Sequence, residues 1–376
     1  MYWIILLIPL NVILKDANAI VFGKRLTVDK KYLVYLLQDW KVPPEHKYKG
    51  WTCGGAIIHH KYIITSATCV TDGKLVYAIA GYRRYVNANV MALDKCIMET
   101  RKKIILIVHP SDFQPSNILN SYNYHYYMFG DICVAQVDEP YNFNDPVYLK
   151  YCSYQPAPIQ VNFMKKFTAP GTETIALGWG HTKYYRPTGE TIDLNEEYPR
   201  YAPARIIPME ECTTYIWDTY FQKPIKKFCV CTNEPGNFDD RGIFHEPEED
   251  YVSCNKTLLD LRNGDGRYSV NTSDDCLNGR RQLPSDRKTA GICQNDHGGP
   301  LVTWIGGRET LIGVASAFSL TNEFTCDKPF IYSSTVCFNK IIDCFVNSRR
   351  SGNNDEEIQE NNYNTTFFEW LESIAH

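Results

Sequence analysis

The stretch Gly291-Ile-Cys-Gln-Asn-Asp-His-Gly-Gly-Pro-Leu301 decides the fold of this 376-residue chain. It places His297 between an acidic residue and a Gly-Gly-Pro turn, with Cys293 shortly before that histidine. A Gly-Gly-Pro turn alone would be weak evidence, but further motifs accompany it along the chain. They are WTCGGAII at 51–58, YIITSATC at 62–69, GDICVAQV at 130–137, LGWG at 177–180 and CDKPFIY at 326–332.

Length and composition set the broad class of the protein. With 44% hydrophobic and 13% aromatic residues, the chain can bury a large core, as one large unit or as two domains. The formal net charge is −4, and acidic and basic residues are interspersed along most of the chain. This distribution indicates neither a nucleic-acid-binding surface nor a polybasic membrane patch. We therefore expect no nucleic acid and no membrane among its partners.

The first 19 residues have the pattern of a secretion signal. An apolar run from Tyr2 to Leu14 is too short to span a bilayer, and it is followed by Ala17-Asn-Ala19, the small residues that signal peptidase recognises. A buried N-terminal strand is the alternative, although nothing later in the chain supplies its partner. We predict a signal peptide over residues 1–19 and secretion to the extracellular space.

The cysteines and the glycosylation triplets agree with secretion. The chain has 14 cysteines, which an oxidising compartment would mostly pair as disulfides. Their spacing contains no zinc-binding cluster, so we predict no metal and no cofactor. Asn255, Asn271 and Asn364 each begin an Asn-x-Ser/Thr triplet, which permits N-glycosylation. Each triplet alone is a weak signal, because such triplets often arise by chance.

Together, the motifs resemble the chymotrypsin/trypsin-like serine protease family. The central stretch resembles that family's Cys-Gln-Gly-Asp-Ser-Gly-Gly-Pro-Leu, and residues 51–69 resemble its Cys-Gly-Gly-Ser-Leu-Ile and Leu-Thr-Ala-Ala-His-Cys. The resemblance implies an all-β fold of two six-stranded antiparallel β-barrels with a C-terminal helix. It assigns residues 20–346 to this domain, with a long insertion in the second barrel at 231–288 and a C-terminal extension at 347–376.

Two of the family's three catalytic residues are replaced. Asp131 matches the aspartate, but Thr68 stands at the histidine position and His297 at the serine position. Threonine has no proton affinity near neutral pH, so it cannot act as the general base. An imidazole on the serine's backbone cannot attack a carbonyl through a hydroxyl and form an ester-type acyl-enzyme. The resemblance therefore implies the protease fold without protease activity.

The substrate-binding positions are altered as well. Gly291 stands at the floor of the specificity pocket, where it supplies no acidic charge to select Lys or Arg. Phe318 and Phe330 replace the two wall glycines, and a benzyl group at either place would fill the slot. Asn295 replaces a glycine whose permissive backbone turns its N–H toward the substrate oxyanion. Because Asn tolerates positive φ better than most residues, this change leaves the oxyanion site open to question.

Cleavage after Ala19 would start the mature chain at Ile20. Ile20-Val-Phe-Gly23 resembles the Ile-Val-Gly-Gly start of an activated family member, whose freed amine pairs with the aspartate before the serine. In this chain that aspartate is Asp296. We expect signal peptidase itself to produce the Ile20 terminus, leaving no proteolytic switch. The alternative is that Ile20 simply begins a strand.

The resemblance also implies disulfide pairs and leaves part of the C-terminus undecided. The implied pairs are Cys53–Cys69, Cys212–Cys229, Cys293–Cys326 and Cys152–Cys337. The remaining cysteines allow many connectivities and are left unassigned; they are Cys96, Cys133, Cys231, Cys254, Cys276 and Cys344. Either residues 338–346 or the amphipathic residues 365–374 could form the closing helix.

These features predict a secreted, non-catalytic serine protease homologue that is most similar to insect extracellular homologues. Such a protein would act by binding an extracellular protease, zymogen or inhibitor, as a regulator, cofactor or decoy. A second hypothesis is a hydrolase with residual or altered activity, in which Thr68 and His297 form a reversed nucleophile–base pair. A third is a largely structural secreted protein without a specific partner.

Overall fold

The computed structural model describes most of the residues assigned to the family domain and a short part of the tail. The described residues are 20, 22–38, 50–71, 75–113, 130–181, 184–186, 190–216, 219–246, 251–253, 280–282, 289–346 and 363–368. The predicted signal peptide, the triplets at Asn255 and Asn271, and the cysteines Cys254 and Cys276 lie outside them. Within the described part, no helix is long and apolar enough to cross a membrane.

Six antiparallel strands close the first barrel. They are β2 (Leu33–Gln38), β3 (Cys53–His59), β4 (Tyr62–Thr65), β5 (Val76–Ala80), β6 (Lys102–Pro110) and β7 (Cys133–Val137). The pairing runs β5–β2–β3–β4–β7–β6, and β6 pairs back with β5 to complete the circle. This arrangement is the first of the two predicted barrels.

Six more antiparallel strands close the second barrel. They are β9 (Glu173–Gly178), β10 (Arg200–Ile206), β11 (Cys229–Pro235), β14 (Pro300–Ile305), β15 (Arg308–Leu320) and β16 (Cys326–Ser334). The order is β9–β10–β11–β16–β15–β14, and β14 pairs with β9. Two short strands pair with this barrel. They are β1 (Lys24–Arg25), which is antiparallel to β10, and β8 (Gln160–Val161), which is parallel to β15. The predicted fold class is therefore confirmed.

Side-chain alternation along the strands separates the cores. In β4, the neighbouring residues Ile63 and Ile64 are both fully buried, yet they belong to different hydrophobic clusters. Ile63 packs in the interior of the first barrel with Val34 and Ile57, whereas Ile64 joins the larger cluster that extends to the second barrel. Successive side chains of a strand point to opposite faces, and burying each isoleucine contributes about 1.5–3 kcal/mol.

In the part of the chain that the structure describes, five short α-helices lie outside the barrels. They are α1 (Lys95–Thr100), α2 (Pro146–Tyr151), α3 (Met209–Thr214), α4 (Thr219–Phe228) and α5 (Asn339–Val346). Helix α5 buries Ile341, Ile342 and Phe345 against the strands of the first barrel, so residues 338–346 supply the closing helix. The alternative, a helix over 365–374, does not begin where its pattern suggests, because β17 (Tyr363–Phe367) pairs with β6.

The insertion predicted over 231–288 begins later than expected. Cys231 lies inside β11 and faces Ile331 of β16, so the barrel strand continues to Pro235. The described residues that follow fold back on the second barrel: Asp240 accepts hydrogen bonds from the Val28 N–H (3.0 Å) and the Thr27 hydroxyl (2.8 Å). Further on, β12 (Tyr251–Ser253) and β13 (Arg280–Gln282) form an antiparallel pair.

Two implied disulfides are present and two are wrong. Cys53–Cys69 and Cys293–Cys326 form as the resemblance implied. Cys212, however, pairs with Cys231 instead of Cys229. Cys229 and Cys231 are two residues apart in β11 and share one face, and both pack in the cluster that contains Cys212. Sequence position alone could not tell which of the two thiols meets Cys212.

The second error concerns Cys152, which pairs with Cys96 instead of Cys337. The segment between β5 and β6 forms α1, and this helix packs beside α2, bringing the Cα atoms of Cys96 and Cys152 to 5.0 Å. Among the described residues, Cys337 and Cys229 carry free thiols. A helix in this loop was not foreseen from the sequence, and it decides the pairing.

Candidate functional site

The retained aspartate lies where the two barrels meet. Asp131 lies two residues before Cys133, the first residue of β7, and Cys133 is paired with Thr65 at the end of β4. A short 3₁₀ helix, Ala67–Cys69, follows β4, and the disulfide Cys53–Cys69 ties its end to β3. This local geometry brings Thr68 beside Asp131, as the resemblance implied.

Hydroxyl and amide donors surround the carboxylate of Asp131, which is fully buried. Its Oδ1 accepts from the Ser66 hydroxyl (2.6 Å), the Thr68 backbone N–H (2.9 Å) and the Thr68 hydroxyl (3.0 Å). Its Oδ2 accepts from the Ser316 hydroxyl at 3.2 Å. Burial raises the pKa of Asp131, and these hydrogen bonds oppose the rise. The proton of the Thr68 hydroxyl therefore points to the carboxylate.

His297 occupies the loop between the disulfide-bonded Cys293 and β14. Its backbone carbonyl accepts from the Gly54 N–H at 2.7 Å, which ties the loop to the first barrel. The ring centre of the imidazole lies 5.6 Å from that of Phe318. Burial lowers the pKa of His297, while the nearby Asp131 and the Ser316 carbonyl raise it. The imidazole thus packs beside an aromatic ring at the meeting of the two barrels.

The altered oxyanion position keeps a left-handed backbone. Asn295 has φ of +74°, a conformation that favours glycine and that Asn tolerates better than most residues. Its side-chain Nδ2 donates to Asn195 Oδ1 (2.7 Å) and lies 3.2 Å from Nε2 of His181. The Asn295 side chain is therefore tied into a polar network behind the loop.

His181 is a member of that network which sequence reasoning missed. It is buried, and its Nδ1 lies 3.0 Å from the backbone carbonyl of Tyr184. A donor at Nδ1 leaves Nε2 to accept from Asn295, which corresponds to a neutral imidazole. Burial lowers the pKa of His181 to about 4, in agreement with the neutral form. The signal that could have found it is its place directly after the LGWG motif.

Ser66 and Ser316 were missed as well. Ser316 begins Ser-Ala-Phe318, at the place where the family has Ser-Trp-Gly, so its position in that motif was the available signal. Ser66 precedes the 3₁₀ helix, and nothing in the local sequence marks its hydroxyl as a partner of Asp131. Both serines are buried, and both direct their hydroxyls at the carboxylate.

Aromatic side chains pack at the place where the resemblance puts the specificity pocket. Phe318 and Phe330 face each other across β15 and β16, and Phe330 is 1% exposed. A Cβ added to Gly291 would fall 2.1 Å from the Phe330 ring, so this ring lies directly on the glycine backbone. Any residue with a Cβ atom would clash with the ring there, so the glycine at position 291 permits the close packing. Phe330 thus occupies the space beside the expected pocket floor.

Asp296 and Ile20 both lie inside the second barrel. Asp296 is fully buried and accepts from the Gly180 N–H (2.7 Å) and the Cys293 N–H (3.0 Å). Burial raises its pKa to about 7, against the effect of those two donors. A Cβ at Gly178 would fall 1.9 Å from Asp296 Oδ1, which explains the glycine in that motif. Ile20 is fully buried and belongs to the same hydrophobic cluster as Ile292. The predicted pairing of its amine with Asp296 stays a prediction.

The predicted glycosylation position Asn364 and the prediction about metals concern residues that the structure describes. Asn364 lies in β17 and is exposed. No group of three or more His, Cys, Asp or Glu side chains within the described ranges could hold a metal ion.

Comparisons with known proteins found one family model, one curated relative and solved structures that are similar to this chain. A family model described as trypsin matches residues 37–242, more than half of the chain. The chain is similar to the CLIP domain-containing serine protease B15 of Anopheles gambiae, at 27% identity over 143 residues. That alignment covers 36% of this chain and only 35% of the relative. Among solved structures, the chain is similar to mouse neuropsin, a serine protease expressed in the limbic system of the brain, at 16% identity. The TM-score is 0.47, over 87% of this chain and 99% of that one.

The family model covers the first barrel from the end of β2 and the second barrel as far as the residues after β11. The two closed barrels and the disulfide beside Thr68 accompany that match. This chain belongs to the trypsin family.

Proposed function

We propose that this chain is a secreted, non-catalytic serine protease homologue that acts by binding another extracellular protein. The observation that carries the proposal is the exchange of groups around Asp131. An imidazole, His297, stands at the nucleophile position, while a threonine hydroxyl stands at the base position and donates to the carboxylate.

The chemistry of acyl transfer supports the loss of activity. A serine-type nucleophile needs a base that removes its proton, and that base must be correctly oriented. At this site the acceptor nearest to the Thr68 hydroxyl is the carboxylate of Asp131, at 3.0 Å. In a comparable protease, removing the catalytic serine or histidine lowers turnover by about 10⁶, leaving what binding and the oxyanion site supply. The filled position beside Gly291 removes part of that binding too.

Secretion is supported by the covalent chemistry of the chain. The described residues contain four disulfides, which persist in oxidising compartments such as the extracellular space. The N-terminal apolar run followed by Ala17-Asn-Ala19 supports the same route. The similar insect protein is described as a CLIP domain-containing serine protease, which agrees with an extracellular setting.

An activity assay with a repaired variant tests the loss of catalysis. We expect no hydrolysis of a panel of peptide and ester substrates and no labelling by a fluorophosphonate probe. The matched control is the triple variant Thr68→His, Asn295→Gly and His297→Ser, which restores the family's groups at the three changed positions. Labelling of the control and silence of the natural chain support the proposal. Labelling of the natural chain contradicts it.

The contact between Thr68 and Asp131 favours one alternative. A hydroxyl 3.0 Å from a carboxylate could be a weak nucleophile in a hydrolase of altered chemistry. Fluorophosphonate labelling that Thr68→Ala abolishes would support this alternative.

The binding role needs a separate test. The proposed partner is an extracellular protease, zymogen or inhibitor, for which the homologue serves as regulator, cofactor or decoy. Affinity-tagged chain added to its native fluid should co-purify with such a partner, and the pair should reassemble from purified components. If no protein co-purifies even at a high concentration of the tagged chain, a largely structural secreted protein would be favoured.

A further inference from the structure

The tail contains a short segment whose composition favours strand pairing between molecules. Tyr363-Asn-Thr-Thr-Phe-Phe368 has aromatic and β-branched residues at five of its positions and contains no charge, proline or glycine. Uncharged segments of about six residues with high β-propensity are the type that stack into intermolecular sheets. Such a segment is a hazard wherever a fold leaves one of its edges open.

The fold presents this segment as an edge strand. β17 runs antiparallel to β6, from Tyr363 beside Pro110 to Phe367 beside Leu106, and the Phe368 N–H extends the ladder to the Ile105 carbonyl at 2.9 Å. Among the strands that the structure describes, β17 pairs with β6 alone and ends the seven-stranded sheet. An edge strand directs backbone N–H and C=O groups outward, where another chain can pair with them.

The side chains of β17 do not guard that edge. Residues 364–367 are exposed, and Phe367 is 72% exposed. Proteins usually protect an edge strand with a lysine, a proline or a bulge. The register of β17 against β6 is continuous over its five residues, and the strand contains neither lysine nor proline. Protection must therefore come from something other than these side chains.

We propose that an N-linked glycan on Asn364 caps this edge and keeps the protein monomeric. Asn364-Thr-Thr366 is a glycosylation triplet, and it lies within the strand that needs protection. Asn364 is exposed, so a bulky hydrophilic oligosaccharide can stand beside the backbone groups of β17 and exclude a second strand. The inference rests on the proposed secretion, because the modification belongs to the secretory route.

The modification is a simple group transfer. The side-chain nitrogen of Asn364 forms a bond to the anomeric carbon of an oligosaccharide carried on a diphospholipid. The bond from that carbon to the diphosphate oxygen breaks, the diphospholipid departs with the electron pair, and the amide nitrogen releases a proton. No oxidant or reductant takes part.

The test combines peptide mass spectrometry with sedimentation of the full-length secreted protein. We expect the peptide containing Asn364 to carry a glycan and the protein to be monomeric. Asn364→Gln and Thr366→Ala both remove the triplet, and each should raise the associated-to-monomer ratio about tenfold, equivalent to about 1.4 kcal/mol. Thr366→Ser is the matched control, since it keeps the triplet and should remain monomeric.

A rescue variant separates edge pairing from misfolding. Adding Thr365→Lys to Asn364→Gln places a charge on the exposed strand, and like charges on paired strands repel, so the double variant should return to the monomer. A secreted chain with bare Asn364 but glycans on Asn255 or Asn271 overturns this inference alone. A secreted chain without any N-glycan also overturns this inference alone, whereas a chain that cells do not export contradicts the proposed secretion. Monomeric Asn364→Gln protein, or association that Thr365→Lys leaves unchanged, also overturns the inference.

Discussion

The charge of Asp296 links the N-terminus of the chain to its stability. The carboxylate is fully buried, with two backbone N–H donors from Gly180 and Cys293. Burial raises its pKa from the usual 3.8 to about 7. A form of the protein that keeps Asn18 and Ala19 ahead of Ile20 has no α-amine at Ile20 to compensate this charge. In that form we expect Asp296 to make the stability depend on pH.

The sign follows from proton binding. Below about pH 4 the folded and unfolded states both hold the proton. Between about pH 4 and pH 7 the folded state still holds it, while the unfolded chain has released it. The free energy of unfolding contributed by Asp296 therefore falls as the pH rises through this window, by about 4 kcal/mol in total.

Other groups titrate in the same window, so the measurement is a difference. The pKa of His181 is lowered by burial, and this histidine makes stability rise with pH instead. Urea unfolding of the extended form and of its Asp296→Asn variant, at several pH values from 4 to 8, cancels that contribution. We subtract the free energy of unfolding of the Asp296→Asn variant from that of the unmutated extended form. This difference should decrease by about 4 kcal/mol as the pH rises over this range.

The form that begins at Ile20 should depend less on pH in this window. Its α-amine can pair with Asp296, which lowers the carboxyl pKa from its raised value of about 7, so the contribution falls by less between pH 4 and pH 7. If the difference in free energy of unfolding between the extended form and its Asp296→Asn variant does not change with pH, the reasoning about burial is refuted. An identical pH profile in both forms would refute the pairing of Ile20 with Asp296.

Three further predictions follow from the packing. Phe330→Ala should cost about 3–5 kcal/mol in chemical denaturation, because the ring is 1% exposed, while Phe324→Ala, at 63% exposed, should cost less than about 0.5 kcal/mol. Equal costs would contradict the filled pocket. Replacing Cys96 and Cys152 together by Ser should cost about 4 kcal/mol in urea, given their separation of 56 residues; peptide mapping that joins Cys152 to Cys337 would contradict the assignment. The imidazole of His181 should titrate by NMR near pH 4 and destabilise the fold as the pH falls from about 6.5 toward 4, and titration near 6.5 would contradict its burial.

Much of the fold was predictable because each family motif lies within or beside a barrel strand. The disulfide pairs at Cys53–Cys69 and Cys293–Cys326 lie within or beside those motifs, and both were predicted correctly. The pairing of Cys212 was not, because two cysteines occupy the same face of β11. A choice between neighbours two residues apart depends on how far the barrel strand extends, which local sequence does not determine.

The tail shows the same limit. Residues 365–374 have a helical pattern, yet Tyr363–Phe367 forms a strand. A short segment rich in threonine and aromatic residues can adopt either conformation, and the backbone edge of β6 decides for the strand. The helix that closes the fold is α5, whose apolar face fits the first barrel.

The sequence by itself determined the order of the motifs and the identity of the groups at the catalytic positions. Those are local facts, and the absence of serine and histidine at positions 297 and 68 follows from them directly. Only the tertiary structure decided what packs against the altered positions: the Phe318 ring beside the His297 ring, and the Phe330 ring on the Gly291 backbone. Such contacts join a loop to distant strands, so they depend on the closure of the barrels rather than on any one stretch of the chain.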